Sequence, residues 1–264
     1  MPPAKKRLRT YDSAKTRAAV LAQFGNVREA VERLTPEQLA LPTRLGDWTV
    51  RELAAHLAMV LGTVQRYLGL PEPTKHEVPL LDWPFATRSA AAQVDEDVKE
   101  LAEEGEPAEQ FARVAAGIAE LLPGAPDARL VPSRFGGMTL GDFLVTRTVE
   151  LIVHTDDLNA AVPGLDVPYD RQALAACTRL LADALAVKAP GASTEVRIPP
   201  YAVVQCIEGP RHTRGTPPNV VETDPLTWIR LATGRTDWTA ALNEAQVSAS
   251  GERADLAELL PLMG

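Results

Sequence analysis

The chain has 264 residues, 45% of them apolar and 23% charged, with a formal net charge of −8. That balance excludes whole-chain disorder, and two cysteines with aperiodic glycine exclude a disulfide scaffold or a collagen-like fold. Lys5, Lys6, Arg7, Arg9, Lys15 and Arg17 face only Asp12 in the first twenty residues, so the remainder is more acidic still and no nucleic-acid partner is expected.

The basic start reads as a short solvated tail. It has no apolar core behind it, so no secretory signal is expected. No stretch reaches about 18 uncharged apolar residues, so no membrane span is expected either. Cys177 and Cys206 have neither pairing nor metal-ligand spacing. The expectation is a soluble cytoplasmic protein with reduced thiols.

The length favours two domains. Proline placement divides them, because a proline inside a helix removes an N–H and clashes with the preceding turn. None of the 22 prolines falls in 4–35, 43–70, 85–106, 133–162 or 169–189, whereas seven crowd into 190–225.

In chain order, apolar residues at three- and four-residue steps predict a first helix over 12–34. Thr35-Pro36-Glu37-Gln38 restarts the chain as a capping box with proline at the first helical position. Thr49 and Glu52 form a second capping box that opens a helix to Leu70. A proline-rich connection leads to a third helix over 87–104 with a solvated acidic face, and 108–122 continues as another. Thr139, with Asp142 as a weaker partner, opens the fourth long helix to Val162. Four long helices with polar connections predict a four-helix bundle over 11–162.

From Asp170 the texture becomes α+β, over 170–264. A helix to Val187 is followed by strands at 194–198, 201–207, 219–223 and 246–250. Short helices are predicted at 225–233 and from 237, with a closing helix over 253–263.

The fourth helix carries the candidate chemistry. With residues about 100° apart, Arg147, Glu150, His154 and Asp157 fall within one narrow arc, flanked on both sides by Leu and Val. A solvated face accounts for such a stripe, and so does an inner polar cavity in which buried ions are paired or bound to metal. Glu150 and His154, four apart, suit two ligands of one ion. His56, at the edge of an apolar arc on the second helix, is the candidate third ligand; a satisfied core histidine is the alternative. His76, in the proline-rich connection, is expected to be exposed.

Two motifs bear a family resemblance. Gly46-Asp47-Trp48-Thr49-Val50-Arg51-Glu52-Leu53-Ala54-Ala55-His56-Leu57 resembles the second-helix motif of DinB-like bundles, in particular the mycothiol-dependent maleylpyruvate isomerase group. Thr148-Val149-Glu150-Leu151-Ile152-Val153-His154-Thr155-Asp156-Asp157-Leu158 resembles its fourth-helix motif. The resemblance implies a divalent metal, typically zinc, on His56, Glu150 and His154, with mycothiol as the thiol cosubstrate. Beside such a site, Arg147 suits an anionic substrate group and Asp157 suits orienting a ligand histidine; an intrahelical ion-pair network is the alternative for both.

The segments 199–222 and 224–234 resemble a bacterial sterol-carrier-protein-like domain. Within them Arg211, His212 and Arg214 precede two prolines that stiffen the chain, which suits a clamp over an anionic substrate or thiol; a structural loop paired with the acidic surface is the alternative. This segment departs from what a maleylpyruvate isomerase is expected to carry, so the substrate stays open. Two functions follow. One is a metal-dependent, mycothiol-using transferase or isomerase acting on a small anionic or electrophilic substrate. The other is a module holding a lipid or acyl ligand, with the bundle as scaffold.

Overall fold

A computed structural model describes residues 9–209 and 218–263. The helical part contains α1 (Ser13–Val31), the one-turn α2 (Pro36–Leu39), α3 (Val50–Leu68), the one-turn α4 (Trp83–Ala86), α5 (Ala91–Glu103), α6 (Pro107–Leu121) and α7 (Leu140–Ala161). A hairpin of β1 (Leu130–Ser133) and β2 (Gly136–Thr139) leads into α7. The later part contains α8 (Arg171–Lys188), β3 (Thr194–Ile198), β4 (Ala202–Cys206), β5 (Val220–Thr223), α9 (Pro225–Ala232), α10 (Trp238–Asn243) and β6 (Val247–Ser250).

Both capping boxes form. Thr35 and Gln38, like Thr49 and Glu52, satisfy each other's orphan backbone N–H groups. At α7 only half of the device is present: Thr139 accepts from the Asp142 backbone N–H. The bundle is built from α1, α3, α6 and α7. The predicted third helix is therefore displaced from the core. α5 buries Val98 and Ala102 alone, whereas α6 buries Phe111 and Ile118, with Phe111 stacked on Phe24 of α1. The acid-rich composition of α5 leaves it too little apolar surface to serve as a core helix.

The sheet runs β4-β3-β5-β6, with β3 and β5 parallel and the other neighbours antiparallel. Alternation puts Val196, Ile198, Val204, Cys206 and Val221 on its buried side. α8 packs on β4 and α9, and also on α1 and α7 of the bundle. It is the joint of the molecule, and one hydrophobic core runs through both parts. The linker 163–169 is bonded back onto the bundle. Gln23 donates to Thr155 and the Pro168 carbonyl and accepts from the Asp170 N–H, while Asn159 exchanges two bonds with Val167.

Two further expectations are corrected. No closing helix spans 253–263: the segment holds one short 3-10 turn, Ala257–Leu259, and Leu262 and Met263 bond to the Ala232 carbonyl instead. Pro261 allows no helix interior there. The basic start is not wholly a solvated tail. Arg9 pairs with Asp183 of α8 at 2.8 Å, and Arg17 holds Asp127 and the carbonyls of Leu122 and Ala125. Among the described residues, no helix is long and apolar enough to cross a membrane.

Because α8 belongs to both halves of the core, the chain is expected to unfold in one cooperative transition. Truncating the fully buried Leu181 to Ala lowers stability by about 2–5 kcal/mol in that single transition. Calorimetry showing two separated transitions, with only one moved by the substitution, contradicts this picture.

Candidate metal centre

α7 is buried on nearly every side, so its polar stripe does not face bulk water. Glu150 and His154 expose 15% and 12% of their side chains, and Asp157 none. Of the two explanations for the stripe, the inner polar cavity is the one found.

His56 projects from α3 and is buried as its place on the helix predicts. One ligand atom each from His56, Glu150 and His154 can be chosen so that all lie within 4.8 Å of one another. The His56 and His154 rings meet edge to face, 4.5 Å between centroids. Glu150 Oε2 lies 3.3 Å from His154 Nε2 and 3.5 Å from His56 Nε2. Neither ring nitrogen of His56 makes a hydrogen bond, although both are buried. Burial, helped by the charge of His154, pushes the His56 pKa down to about 4. The ring is therefore neutral at pH 7, and at least one nitrogen presents a lone pair.

Asp157 sets the state of His154. Its Oδ2 lies 2.8 Å from His154 Nδ1. Arg44 Nε reaches Oδ1 at 2.5 Å, and Arg235 reaches both oxygens at 3.2 and 2.9 Å. Burial alone pushes the Asp157 carboxyl up; the hydrogen bond from His154 and the Arg235 guanidinium outweigh it and hold the group far below the usual carboxylate range. A carboxylate only accepts, so Nδ1 carries the proton and Nε2 is turned to the cluster. Burial likewise opposes the charge of Glu150, but His154, His56 and Arg147 overcome it and keep Glu150 ionised. Burial lowers the His154 pKa and its two carboxylate neighbours reverse this, for a net rise.

A buried carboxylate and two imidazole nitrogens thus converge, and His56 has only the 3.5 Å approach of Glu150, with no well-formed hydrogen bond. The arrangement calls for a cation, and the N/N/O donor set suits a divalent metal. The residues present fit such an ion.

Arg147 is nearly buried beside the cluster. Its guanidinium packs over Phe143, 4.6 Å from the ring centroid, and its closest carboxylate atom is Glu150 Oε1 at 3.9 Å. It lines a small chamber of about 80 Å³ shared with His56 and Glu150. A larger cavity of about 420 Å³ opens on all three residues of the cluster, between Trp48, Val94, Val153, Arg235 and Met263. His76 is exposed, as expected. Arg211, His212 and Arg214 lie outside the described residues.

Sequence reasoning missed Arg44, Asp156, Arg230 and Arg235. Buried Asp156 takes Arg44 at 2.5 Å, Arg230 at 2.6 Å and the Tyr169 hydroxyl at 3.1 Å. The signal was the Asp156-Asp157 pair itself: two adjacent acids on an otherwise apolar helix require cations from elsewhere. Gly234, at φ +72°, turns the chain after α9 so that Arg235 points back to α7, in a conformation that favours glycine.

Fold and site together define a helical bundle with an internal His/Glu/His cluster, joined to an α+β part that supplies one wall of the cavity. The chain belongs to the mycothiol maleylpyruvate isomerase N-terminal domain family, whose profile matches residues 20–159, just over half of its length. Residues 170–262 match the bacterial SCP ortholog profile. A crystal structure of a mycothiol-dependent maleylpyruvate isomerase is similar at a TM-score of 0.60 and 14% identity, covering 96% of this chain and 97% of that one. A mutant of that enzyme type gives a TM-score of 0.58 with the same identity and coverage. At this identity the likeness establishes the fold. A comparison with curated proteins gives no match.

Replacing Asp156 by Asn leaves Arg230 and Arg44 with less counter-charge. It is expected to lower stability by about 1–3 kcal/mol at pH 7, the arginines being partly solvated. Burial raises the Asp156 pKa, but Arg230 and Arg44 depress it further, so its folded value lies below the unfolded one. Its stabilisation is therefore complete above the usual carboxylate range and fades as pH falls through the folded pKa. Denaturant titrations of wild type and Asp156→Asn should converge in acid; a gap that widens below about pH 4 contradicts the assignment.

Proposed function

We propose that this chain is a metal-dependent enzyme that uses mycothiol in a transferase or isomerase reaction on a small anionic or electrophilic substrate. The observation that carries the reading is the convergence of His56, Glu150 and His154, with neither His56 nitrogen in a well-formed hydrogen bond. These three residues would hold a divalent ion, zinc being well matched to two imidazoles and a carboxylate. Such an ion lowers the pKa of a thiol that reaches its open position, supplying a nucleophile at neutral pH.

The remaining roles belong to the chain. Asp157 keeps the His154 proton on Nδ1 and fixes the ring; Arg44 and Arg235 keep Asp157 ionised. Arg147, desolvated and only loosely paired, offers its guanidinium to a carboxylate or other anionic group of the substrate. Val153, Val94 and Met263 exclude water from the cavity wall. Cys177 and Cys206 are buried, and burial raises the Cys177 thiol far above its usual range, so neither serves as the nucleophile. An external thiol fills that role. The packing of α8 against β4 gives the lipid-holding alternative less support, because a helix covers that part of the sheet.

Protein purified without chelator is expected to carry about one divalent ion per chain by elemental analysis. His154→Ala should abolish uptake, and Asp157→Asn should weaken zinc binding about 10- to 100-fold while leaving a folded protein. A folded wild type that neither contains metal nor takes up zinc overturns the reading. Unchanged zinc affinity in Asp157→Asn removes the orienting role of that carboxylate.

A further inference from the structure

α5 roofs the cavities around the cluster but gains little from packing there. We propose that α5 is a hinged lid, and that its release joins the small chamber beside Arg147 to the large cavity. The purpose of the lid rests on the reading of His56, Glu150 and His154 as the working site.

Ala91, Val94, Asp95, Val98, Leu101 and Ala102 recur at three- and four-residue steps and make one stripe along α5. Of these, Val98 and Ala102 alone are buried. Ala91, Val94 and Asp95 line the large cavity, and Val94 also lines the small chamber. Leu101, with Asp97, Glu100 and Glu104, walls a third cavity of about 420 Å³ shared with α3 and α6. A helix side that meets voids forfeits the close contacts from which packing energy comes. The helix is also weak in itself. Ala90 gives no side-chain cap to its first turn, and Glu96, Glu100 and Glu104 stack like charges at four-residue steps.

What holds α5 down is mostly polar. Trp48 Nε1 donates to Asp95 at 2.7 Å, and Lys99 bridges Asp95 and Asp47 at 3.0 Å to each. Arg134, in the turn between β1 and β2, pairs with Asp97, and Gln110 of α6 donates to the Leu101 carbonyl at 2.6 Å. Exposed ion pairs contribute little: Lys99 and Asp47 expose 43% and 75% of their side chains. α5 therefore opens at a lower cost than the bundle core unfolds. The 3-10 turn Thr87–Ala90 before it and the short link to Pro107 after it are the hinges.

Thr87 and Val94 line both the large cavity and the small chamber, so they stand between the two. The chamber, at about 80 Å³, is far below the roughly 300–1,000 Å³ of ligand pockets. A substrate group larger than that volume reaches Arg147 when Val94 moves aside with α5. The same motion uncovers His56, whose ring nitrogens are both buried in the closed form.

The test joins hydrogen exchange of the full chain to labelling of His56 by diethyl pyrocarbonate after metal is stripped, both read by mass spectrometry. Amides of α5 should exchange at least about tenfold faster than those of α3. Arg134→Gln, which releases Asp97, should speed α5 exchange and His56 labelling about threefold and leave α3 unchanged. Joining Lys99→Cys to Asp47→Cys with a short bismaleimide should slow His56 labelling at least about tenfold. The native cysteines are buried, and exposed His76 serves as the unaffected control. α5 that exchanges in step with α3 overturns the lid, as does His56 labelling that neither Arg134→Gln nor the clamp alters. Neither readout needs a bound ion, so a chain that shows this labelling pattern but takes up no zinc keeps the lid and loses the functional reading.

Discussion

Two adjacent carboxylates buried on an apolar helix set the terms for the rest of the structure. Asp156 and Asp157 sit where α7 is packed on both flanks, and an uncompensated charge there is too costly to persist. Cations must come to them. Arg44 arrives from the turn before α3, while Arg230 and Arg235 arrive from α9 and the glycine turn behind it. The bundle and the α+β part are thereby tied at the same place where His154 is aimed.

This dependence gives the α+β part a role in the site. α8 packs on β4 of its sheet, and among the described residues this part reaches the cavity through Arg235 and Met263. One of these fixes the carboxylate of Asp157 behind His154 and the other closes an apolar wall. α8, shared between the two halves of the core, makes the placement rigid. Mechanism and architecture are joined through α7: its apolar flanks bury the stripe, and burial gives each charge on the stripe its strength.

Much of this was legible in the sequence because the deciding signals are local. Capping boxes at Thr35 and Thr49, proline-free windows and the four-residue spacing that puts Glu150 and His154 about 40° apart depend on residues within a few positions of one another. His56 was placed inward by the arc of Leu53, Leu57, Val60 and Val64, and it is buried. What failed was non-local. α5 and α6 compete for one place in the bundle, and the winner is decided by apolar area against α1 and α3. The β1–β2 hairpin is too short to show a period. The closing helix lost to bonds from Leu262 and Met263 to the Ala232 carbonyl. Arg44, Arg230 and Arg235 lie 70 or more positions from the acids they neutralise, and surface arginine has no sequence mark that names its partner.

On the proposed reading, His56, Glu150 and His154 would hold one divalent ion with a position open to an external thiol. X-ray absorption at the zinc edge of loaded protein, with and without mycothiol, tests it most directly. The expected shell holds nitrogen and oxygen neighbours alone, at about 2.0–2.2 Å, and gains one sulfur at about 2.3 Å when the thiol is added. A shell that contains sulfur before the thiol is added, or that gains none with the thiol in excess, contradicts it.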